Sequence, residues 1–230
     1  MQKQLVIYGS GRHTVPFLKY MAEATGKKNP NLCFIPTASG EDKDYINSFH
    51  EVCSQINVVP HVMSVWINSY DQKESFDDII QRMDAIVVGG GNTLNMLAIW
   101  KAQGIDTALK KAYNNGVVMG GGSAGSLCWF NGGTTDSRPK ELSIVEGMSF
   151  IEASHCPHYN SEKFRRPLYH ENILSGKLTN GYACDDRSAI HFIDGKVHTS
   201  VSLDTKNHSY FVYDKDGVIR EDQIKGTVLH

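Results

Sequence analysis

Residues 116–125 read Gly-Val-Val-Met-Gly-Gly-Gly-Ser-Ala-Gly, and they carry the strongest signal for both the fold and the chemistry. The apolar run 116–120 predicts a buried strand, and the run 121–125 fits the Gly-x-Ser-x-Gly pattern of a nucleophile elbow. In such an elbow a strand passes through a sharp turn into a helix, which leaves the serine exposed on a strained backbone. The glycines leave room where a Cβ would collide with neighbouring elements. Ser123 is therefore a candidate nucleophile, and a helix is expected to begin within 126–130.

Short apolar runs and helix-like segments alternate in the part of the chain that precedes the elbow. Strands are predicted at 5–8, 32–36, 58–65 and 85–88, and helices at 14–24, 42–55, 75–82, 93–101 and 105–114. Continuous apolar strands between helices predict an α/β fold with a mostly parallel central sheet and helices on both faces. After residue 180 the runs alternate or end in Asp-Gly-type turns, which predicts antiparallel C-terminal strands. We expect residues 1–230 to form one domain.

Composition narrows the classes of function. A net charge of −2 over 230 residues and the absence of a basic stripe disfavour nucleic acid or an anionic membrane as a partner. We find no secretion signal and no run of 18 apolar residues, so a cytoplasmic protein, monomer or homodimer, is expected. The five cysteines are scattered and show no Cys-x-x-Cys pair, which argues against a disulfide framework and a zinc site. No metal or cofactor is expected.

A serine nucleophile needs a base within hydrogen-bond reach, and the base needs a group that fixes its tautomer. The best-placed histidines are His155 and His158, in the loop-like stretch 154–160. Pro157 stiffens the chain immediately before His158, which suits a held side chain. Each of these histidines has a structural alternative, as a surface or packed side chain.

The acid of a triad has several candidates. Asp136 follows the predicted elbow helix and a Gly-Gly break, although an aspartate there could equally form a turn. Glu141 is a nearby substitute, and Asp185 or Asp186 is a more distant one.

Three consecutive glycines, 89–91, separate a predicted strand from a helix start. They let the backbone approach a ligand closely, and the helix N-terminus favours an anion. The Lys-Ser/Thr of a P-loop is missing, so an oxyanion donor is the better interpretation. The structural alternative is a tightly packed helix with Asn92 or Thr93 as its N-cap. Downstream, Arg165 and Arg166 could clamp a substrate carboxylate or simply face solvent.

Taken together, the stretches 88–94, 121–125, 134–136 and 157–160 resemble the peptidase E and cyanophycinase-like serine peptidases. The resemblance implies a class I glutamine-amidotransferase-like α/β fold, with serine at the elbow position where amidotransferases carry cysteine. It also implies cleavage of peptide bonds after acidic residues, typically an N-terminal aspartate in a small peptide.

The resemblance also implies roles for individual residues. Ser123 would be the nucleophile, His158 the base, and Asp136 the group that orients the base. The oxyanion would be held by backbone N–H groups of Gly90 or Gly91 and of Ala124. The predicted substrate-binding residues are Asn92, Arg165 and Arg166, with Arg165 near the place where the family binds an aspartyl carboxylate.

Other functions stay open at this stage. One is a cyanophycinase-like hydrolase of β-linked aspartyl amide bonds, and another is a catalytically inactive ligand-binding module that keeps the elbow as a packing turn. A Rossmann-type nucleotide binder is disfavoured because residues 9–14 lack the third glycine of that motif.

Overall fold

A computed structural model describes residues 2–70 and 72–229. The α-helices are α1 Val15–Ala24, α2 Lys43–Cys53, α3 Phe76–Gln81, α4 Thr93–Gln103, α5 Ile105–Asn114, α6 Ala124–Leu127 and α7 Arg165–Leu174. The strands are β1 Gln4–Tyr8, β2 Asn31–Ile35, β3 Val59–Val62, β4 Ala85–Val88, β5 Val118–Gly122, β6 Phe130–Thr135, β7 Ser143–Glu146, β8 Ile151–Cys156, β9 Gly181–Cys184, β10 Ser188–Ile193, β11 Lys196–Ser202, β12 Ser209–Lys215, β13 Val218–Gln223 and β14 Gly226–Val228.

The larger sheet has the strand order β14-β11-β10-β1-β5-β4-β2-β3. Its centre is parallel, because β1, β5, β4, β2 and β3 all pair in the same direction. Strand β10 adds to β1 in the antiparallel sense, and β11 pairs antiparallel with β10. The predicted mostly parallel sheet with antiparallel C-terminal strands is confirmed.

Helices cover both faces of this sheet. Each strand contributes side chains to the cores on both faces, because successive strand residues point to opposite sides. Leu5 and Ile7 of β1 join one core, which includes Trp100 of α4. Val6 and Tyr8 join the other core, which includes Phe17 of α1. Every residue named here is fully or almost fully buried, as the near-continuous apolar strands predict.

A second sheet was not anticipated from the sequence. Its order is β13-β12-β9-β8-β6-β7, and α7 packs on it through a smaller core that contains Tyr169 and Ile173. The prediction that a helix begins within 126–130 is wrong, because α6 begins at Ala124 and ends at Leu127, and β6 begins at Phe130. The chain leaves the elbow after one helical turn and enters this second sheet, where Gly133 allows close pairing: a Cβ there would lie 1.8 Å from the carbonyl oxygen of His155.

The loops at the carboxyl ends of the parallel strands converge, as expected for an open α/β sheet. A Cβ added to Gly11 after β1 would lie 3.1 Å from the Cα of Gly90 after β4 and 3.3 Å from the Cβ of Ser123 after β5. Three loops therefore meet around the serine of the elbow.

Two features relate to the expectations from composition. The five cysteines are all buried and unpaired. Within the described residues, none of the helices has the length and apolar character needed to cross a bilayer.

Candidate active site

Ser123 sits on a strained turn between β5 and α6. Its φ of 56° and ψ of −117° form a combination that non-glycine residues rarely adopt. The neighbouring glycines make the turn sterically feasible. A Cβ at Gly122 would lie 1.8 Å from the carbonyl oxygen of Ser10, and one at Gly125 would lie 2.1 Å from that of Val88. The side chain of Ser123 is partly exposed on this elbow.

His158 lies beside this serine and connects it to a carboxylate. Its Nε2 is 2.9 Å from Ser123 Oγ, and its Nδ1 is 2.6 Å from Asp186 Oδ1. A carboxylate only accepts, so Nδ1–H donates to Asp186 and the Nε2 lone pair accepts the Ser123 hydroxyl proton. The side chain of His158 is 19% exposed and that of Asp186 33% exposed, so the hydrogen-bonded chain is open to a ligand.

The prediction that Asp136 orients His158 is wrong. Asp136 follows the end of β6, its side chain is 67% exposed, and the charged group near it is Arg165 at 3.9 Å. The orienting position belongs to Asp186, in the turn between β9 and β10. Glu141 is also exposed. The Asp-Asp pair that directly follows an apolar strand was the sequence signal for the correct residue.

The two neighbouring aspartates have different environments. Asp186 is held through its backbone, since Ser10 N–H donates to its carbonyl oxygen and its own N–H donates to Asn160 Oδ1. The hydrogen bond from His158 lowers the pKa of Asp186, which keeps the carboxylate ionised. Asp185 instead is buried and accepts from the His208 N–H at 2.8 Å, and burial raises its pKa.

The glycine loop between β4 and α4 forms a wall beside Ser123. The hydroxyl of Tyr45 ties this loop to the loop after β1, because it donates to the Gly11 carbonyl and accepts from the Gly90 N–H at 3.2 Å. Gly91 has a φ of 138°, and a Cβ there would lie 2.2 Å from the Ala38 carbonyl oxygen, so this position requires glycine. In the described part of the chain, the N–H of Gly91 donates to no protein acceptor.

Two of the predicted substrate-binding side chains are used internally. Asn92 caps α4 by accepting from the Asn95 N–H, and its amide group donates to the Ser137 carbonyl. Arg166 bonds Glu221 on β13 and lies over the ring of Tyr159 at 4.7 Å. Neither side chain is brought to the Ser123 hydroxyl, and the structural alternatives account for both.

Arg165 is buried and paired, in contrast to its exposed neighbour. Its Nε donates to Glu162 Oε2 at 2.9 Å, and its Nη1 donates to the Thr134 carbonyl at 2.8 Å. Glu162 in turn lies 4.0 Å from His158 Nε2. The predicted arginine is therefore close to His158, the candidate base, with a carboxylate of the protein between them.

A second serine–histidine pair is formed by residues three positions away in the chain from Ser123 and His158. Ser126 Oγ is 2.9 Å from His155 Nε2, and His155 Nδ1–H donates to the Tyr182 carbonyl oxygen at 3.0 Å. Both side chains are fully buried, and burial lowers the pKa of His155 to about 3. His155 was a candidate from its sequence context, whereas its serine partner, Ser126, was not.

The described residues contain no group of three or more His, Cys, Asp or Glu side chains arranged to hold a metal ion. The polar groups gathered at Ser123 are those of acyl-transfer chemistry, in which a hydroxyl, an imidazole and a carboxylate act in sequence. The sequence model of peptidase family S51 matches residues 5–200. This chain belongs to peptidase family S51. It is a serine-type peptidase.

Similar proteins agree with this family assignment. The chain is 38% identical over 215 residues to the uncharacterized peptidase YgaJ of Bacillus subtilis, which covers 91% of this chain and 92% of that protein. It is 26% identical over 178 residues to peptidase E of Actinobacillus pleuropneumoniae, covering 76% of this chain and 68% of that protein. The resemblance to peptidase E stated from the motifs is therefore confirmed.

The fold of this S51 peptidase also has a solved counterpart. A peptidase from an acI-B1 Actinobacterium superposes with a TM-score of 0.74 at 17% sequence identity, covering 98% of this chain and 95% of that one. At this identity the likeness shows the fold alone, and it supports the expected α/β architecture.

Proposed function

We propose that this protein hydrolyses small peptides through a triad of Ser123, His158 and Asp186. The observation that carries the proposal is a continuous set of hydrogen bonds, from the carboxylate through both imidazole nitrogens to the hydroxyl. The strained, partly exposed elbow presents that hydroxyl to the site. Membership of a peptidase family supports the same reaction class.

In the proposed reaction His158 Nε2 takes the proton of Ser123 while Oγ attacks the peptide carbonyl carbon. The tetrahedral intermediate collapses when His158 returns the proton to the leaving nitrogen, which breaks the C–N bond and leaves an ester on Ser123. Water, deprotonated by the same imidazole, then attacks the ester carbonyl. The C–O bond to Ser123 breaks, the carboxylic acid product leaves, and His158 returns the proton to Ser123 Oγ. Asp186 stays ionised throughout and stabilises the imidazolium that forms in each half-reaction.

The proposed oxyanion donors are the backbone N–H groups of Gly91 and Ala124. Ala124 is the first residue of α6, where an N–H has no partner within the helix. In the residues described, neither N–H donates to a protein acceptor. Gly90, the predicted alternative to Gly91, already donates to Tyr45. Two free donors next to the nucleophile are what a developing oxyanion requires.

The preference for an N-terminal aspartate is a separate expectation from the reaction itself. It follows from the family resemblance and needs an arginine free to bind a substrate carboxylate. Arg165 is the only one of the two predicted arginines close to His158, and Glu162 occupies it. Peptide hydrolysis does not depend on this preference, so we propose the reaction without it.

The proposal is tested by incubating the purified protein with Xaa-Leu dipeptides, Xaa being Asp, Glu, Asn, Ala or Lys, and with a β-linked aspartyl dipeptide. Mass spectrometry of the products, with Ser123→Ala as the blank, gives the reaction class. Release of leucine that depends on Ser123 supports the peptidase. Cleavage confined to the β-linked substrate would favour the cyanophycinase-like alternative, and no cleavage by the folded protein would favour the inactive binding module.

A further inference from the structure

Glu162 lies between the candidate catalytic histidine and the buried arginine. One oxygen, Oε1, is 4.0 Å from His158 Nε2, and the other, Oε2, is 2.6 Å from Arg165 Nη2. The side chain of Glu162 is 35% exposed, whereas that of Arg165 is 3% exposed. A protein carboxylate therefore covers the guanidinium on the side that leads to the nucleophile.

Three of the five N–H donors of the guanidinium meet protein acceptors. Nε and Nη2 both meet Glu162 Oε2, and Nη1 donates to the carbonyl oxygen of Thr134. Asp136, the exposed carboxylate nearby, lies 3.9 Å from Nη2. A substrate carboxylate could pair with the Nε and Nη2 edge of this arginine only by displacing Glu162.

The backbone fixes Glu162 in this position. The N–H of Glu162 donates to the carbonyl of His158, and the N–H of Arg165 donates to the carbonyl of Glu162. These bonds form the short turn that leads from the catalytic histidine into α7. The pairing is therefore built into the segment that also carries His158, which itself has a φ of 54°.

The charge near the site also disfavours an anionic substrate. Three carboxylates, those of Asp136, Glu162 and Asp186, lie within 4.0 Å of a nitrogen of His158 or Arg165. A further carboxylate from a substrate would meet repulsion from these three groups.

We propose that Glu162 sets the substrate specificity of this site by filling the carboxylate position on Arg165. The preferred residue before the scissile bond is then neutral or cationic, and acidic residues are rejected. This inference rests on the proposed peptide hydrolysis and concerns the same site. It names Glu162 as a specificity residue in place of a direct role for Arg165 in binding an aspartyl side chain.

The test compares kcat/KM for Asp-Leu, Ala-Leu and Lys-Leu in wild type, Glu162→Gln and Glu162→Ala. Wild type should cleave Ala-Leu and Lys-Leu faster than Asp-Leu. In Glu162→Ala the guanidinium is uncovered, and the ratio of Asp-Leu to Ala-Leu should rise about tenfold or more, the usual worth of a hydrogen bond to a charged group. Glu162→Gln removes the charge but leaves a side chain of the same size on the Arg165 guanidinium, so the ratio of Asp-Leu to Ala-Leu should rise less in this variant. The matched control is Glu171→Ala, an exposed glutamate on α7, which should leave the ratio unchanged.

A binding measurement separates this inference from the proposed reaction. Calorimetric titration of Asp-Leu and Ala-Leu into Ser123→Ala, with and without Glu162→Ala, reports selectivity without turnover. A gain for Asp-Leu in the double variant supports the specificity role even if wild type cleaves nothing, in which case only the proposed function fails. A wild-type preference for Asp-Leu, or an unchanged binding ratio in double variants whose circular dichroism shows a native fold, would overturn it.

Discussion

Two serine–histidine pairs lie one helical turn apart in this molecule, and only one has the surroundings of a catalytic site. In both pairs the hydroxyl oxygen is 2.9 Å from a histidine Nε2. The Ser123–His158 pair is partly exposed, and its histidine donates to the carboxylate of Asp186. The Ser126–His155 pair is fully buried, and its histidine donates to a backbone carbonyl.

The comparison shows that hydrogen-bond distance alone does not identify a nucleophile. A carboxylate stabilises the imidazolium that must form during acyl transfer, whereas a carbonyl offers only a dipole. Burial acts in the same direction, because it lowers the pKa of His155 to about 3 and so opposes its protonation. The buried pair therefore serves the packing of α6 against β8, and the exposed pair is equipped for proton transfer.

The largest contrast is expected between Ser123→Ala and Ser126→Ala. Removal of the first hydroxyl should lower kcat by about three or more orders of magnitude, with the unfolding free energy little changed. Removal of the second hydroxyl takes away the one proton donor that the buried Nε2 of His155 shares with the Ser123 carbonyl oxygen, which should cost about 1–3 kcal/mol of stability. Dipeptide hydrolysis and urea denaturation measure both effects. Equal losses of turnover in the two variants would remove the distinction between the pairs.

The next contrast concerns the acid of the triad. Asp186→Asn should reduce kcat by about three to four orders of magnitude, because an amide can hold His158 in the wrong tautomer and cannot stabilise the imidazolium. Asp136→Asn, at an exposed position, should reduce kcat by less than about tenfold. Steady-state kinetics on one neutral dipeptide are enough for the comparison. A severe loss in Asp136→Asn with a mild one in Asp186→Asn would restore the original assignment.

The buried pair predicts a pH dependence of stability. The pKa of His155 is about 3 in the folded protein against 6.5 for an ordinary histidine, so the unfolded chain binds the extra proton between these values. Stability is then lost as the pH falls from about 6.5 towards 3, by about 1.4 kcal/mol per pH unit for this group. Burial lowers the pKa of His13 to about 3 as well, which adds in the same direction.

The matching variant is His155→Gln, which should be less stable at neutral pH and should lose stability less steeply as the solution is acidified. Urea denaturation at pH 7, 6, 5 and 4 provides the slopes. A slope in His155→Gln as steep as that of wild type would show that this histidine does not carry the effect.

The smallest loss of kcat/KM is expected from a change in the loops after β1 and β4, which lie beside Ser123. Tyr45→Phe removes the hydroxyl that joins the Gly11 carbonyl to the Gly90 N–H, so the two loops beside Ser123 lose a shared anchor. We expect a loss in kcat/KM of about tenfold or less, since misplacement of groups next to the nucleophile weakens orientation. Tyr70→Phe, at a side chain that is 89% exposed, is the control. An unchanged kcat/KM in Tyr45→Phe would limit this hydroxyl to a packing role.

The sequence predicted what depends on local pattern. The apolar run before Ser123 and its flanking glycines indicated the elbow, whereas His158 was preferred over His155 only through the resemblance to peptidase E. Asp186 could not be ranked above Asp136 in this way, because its contact with His158 joins residues 28 apart through the pairing of β8 with β9. Glu162 was missed for a similar reason, since its two neighbours are defined only once the turn into α7 has formed.

The second sheet could not be predicted from the sequence either. Its strands β6 and β8 pair with each other although β7 lies between them in the chain. Neither the glycines of β6 nor the sequence of α6 indicates that the helix stops after one turn. The buried Ser126 could be recognised only from this packing.

The most direct test of the account is to label the folded protein with a fluorophosphonate and to locate the adduct by tandem mass spectrometry of its peptides. Both serines lie within residues 116–130, so fragment ions that separate position 123 from position 126 are required. We expect a single adduct on Ser123, absent from Ser123→Ala and present in Ser126→Ala. An adduct on Ser126, or no adduct on the folded wild-type protein, would contradict the assignment of the exposed pair as the catalytic one.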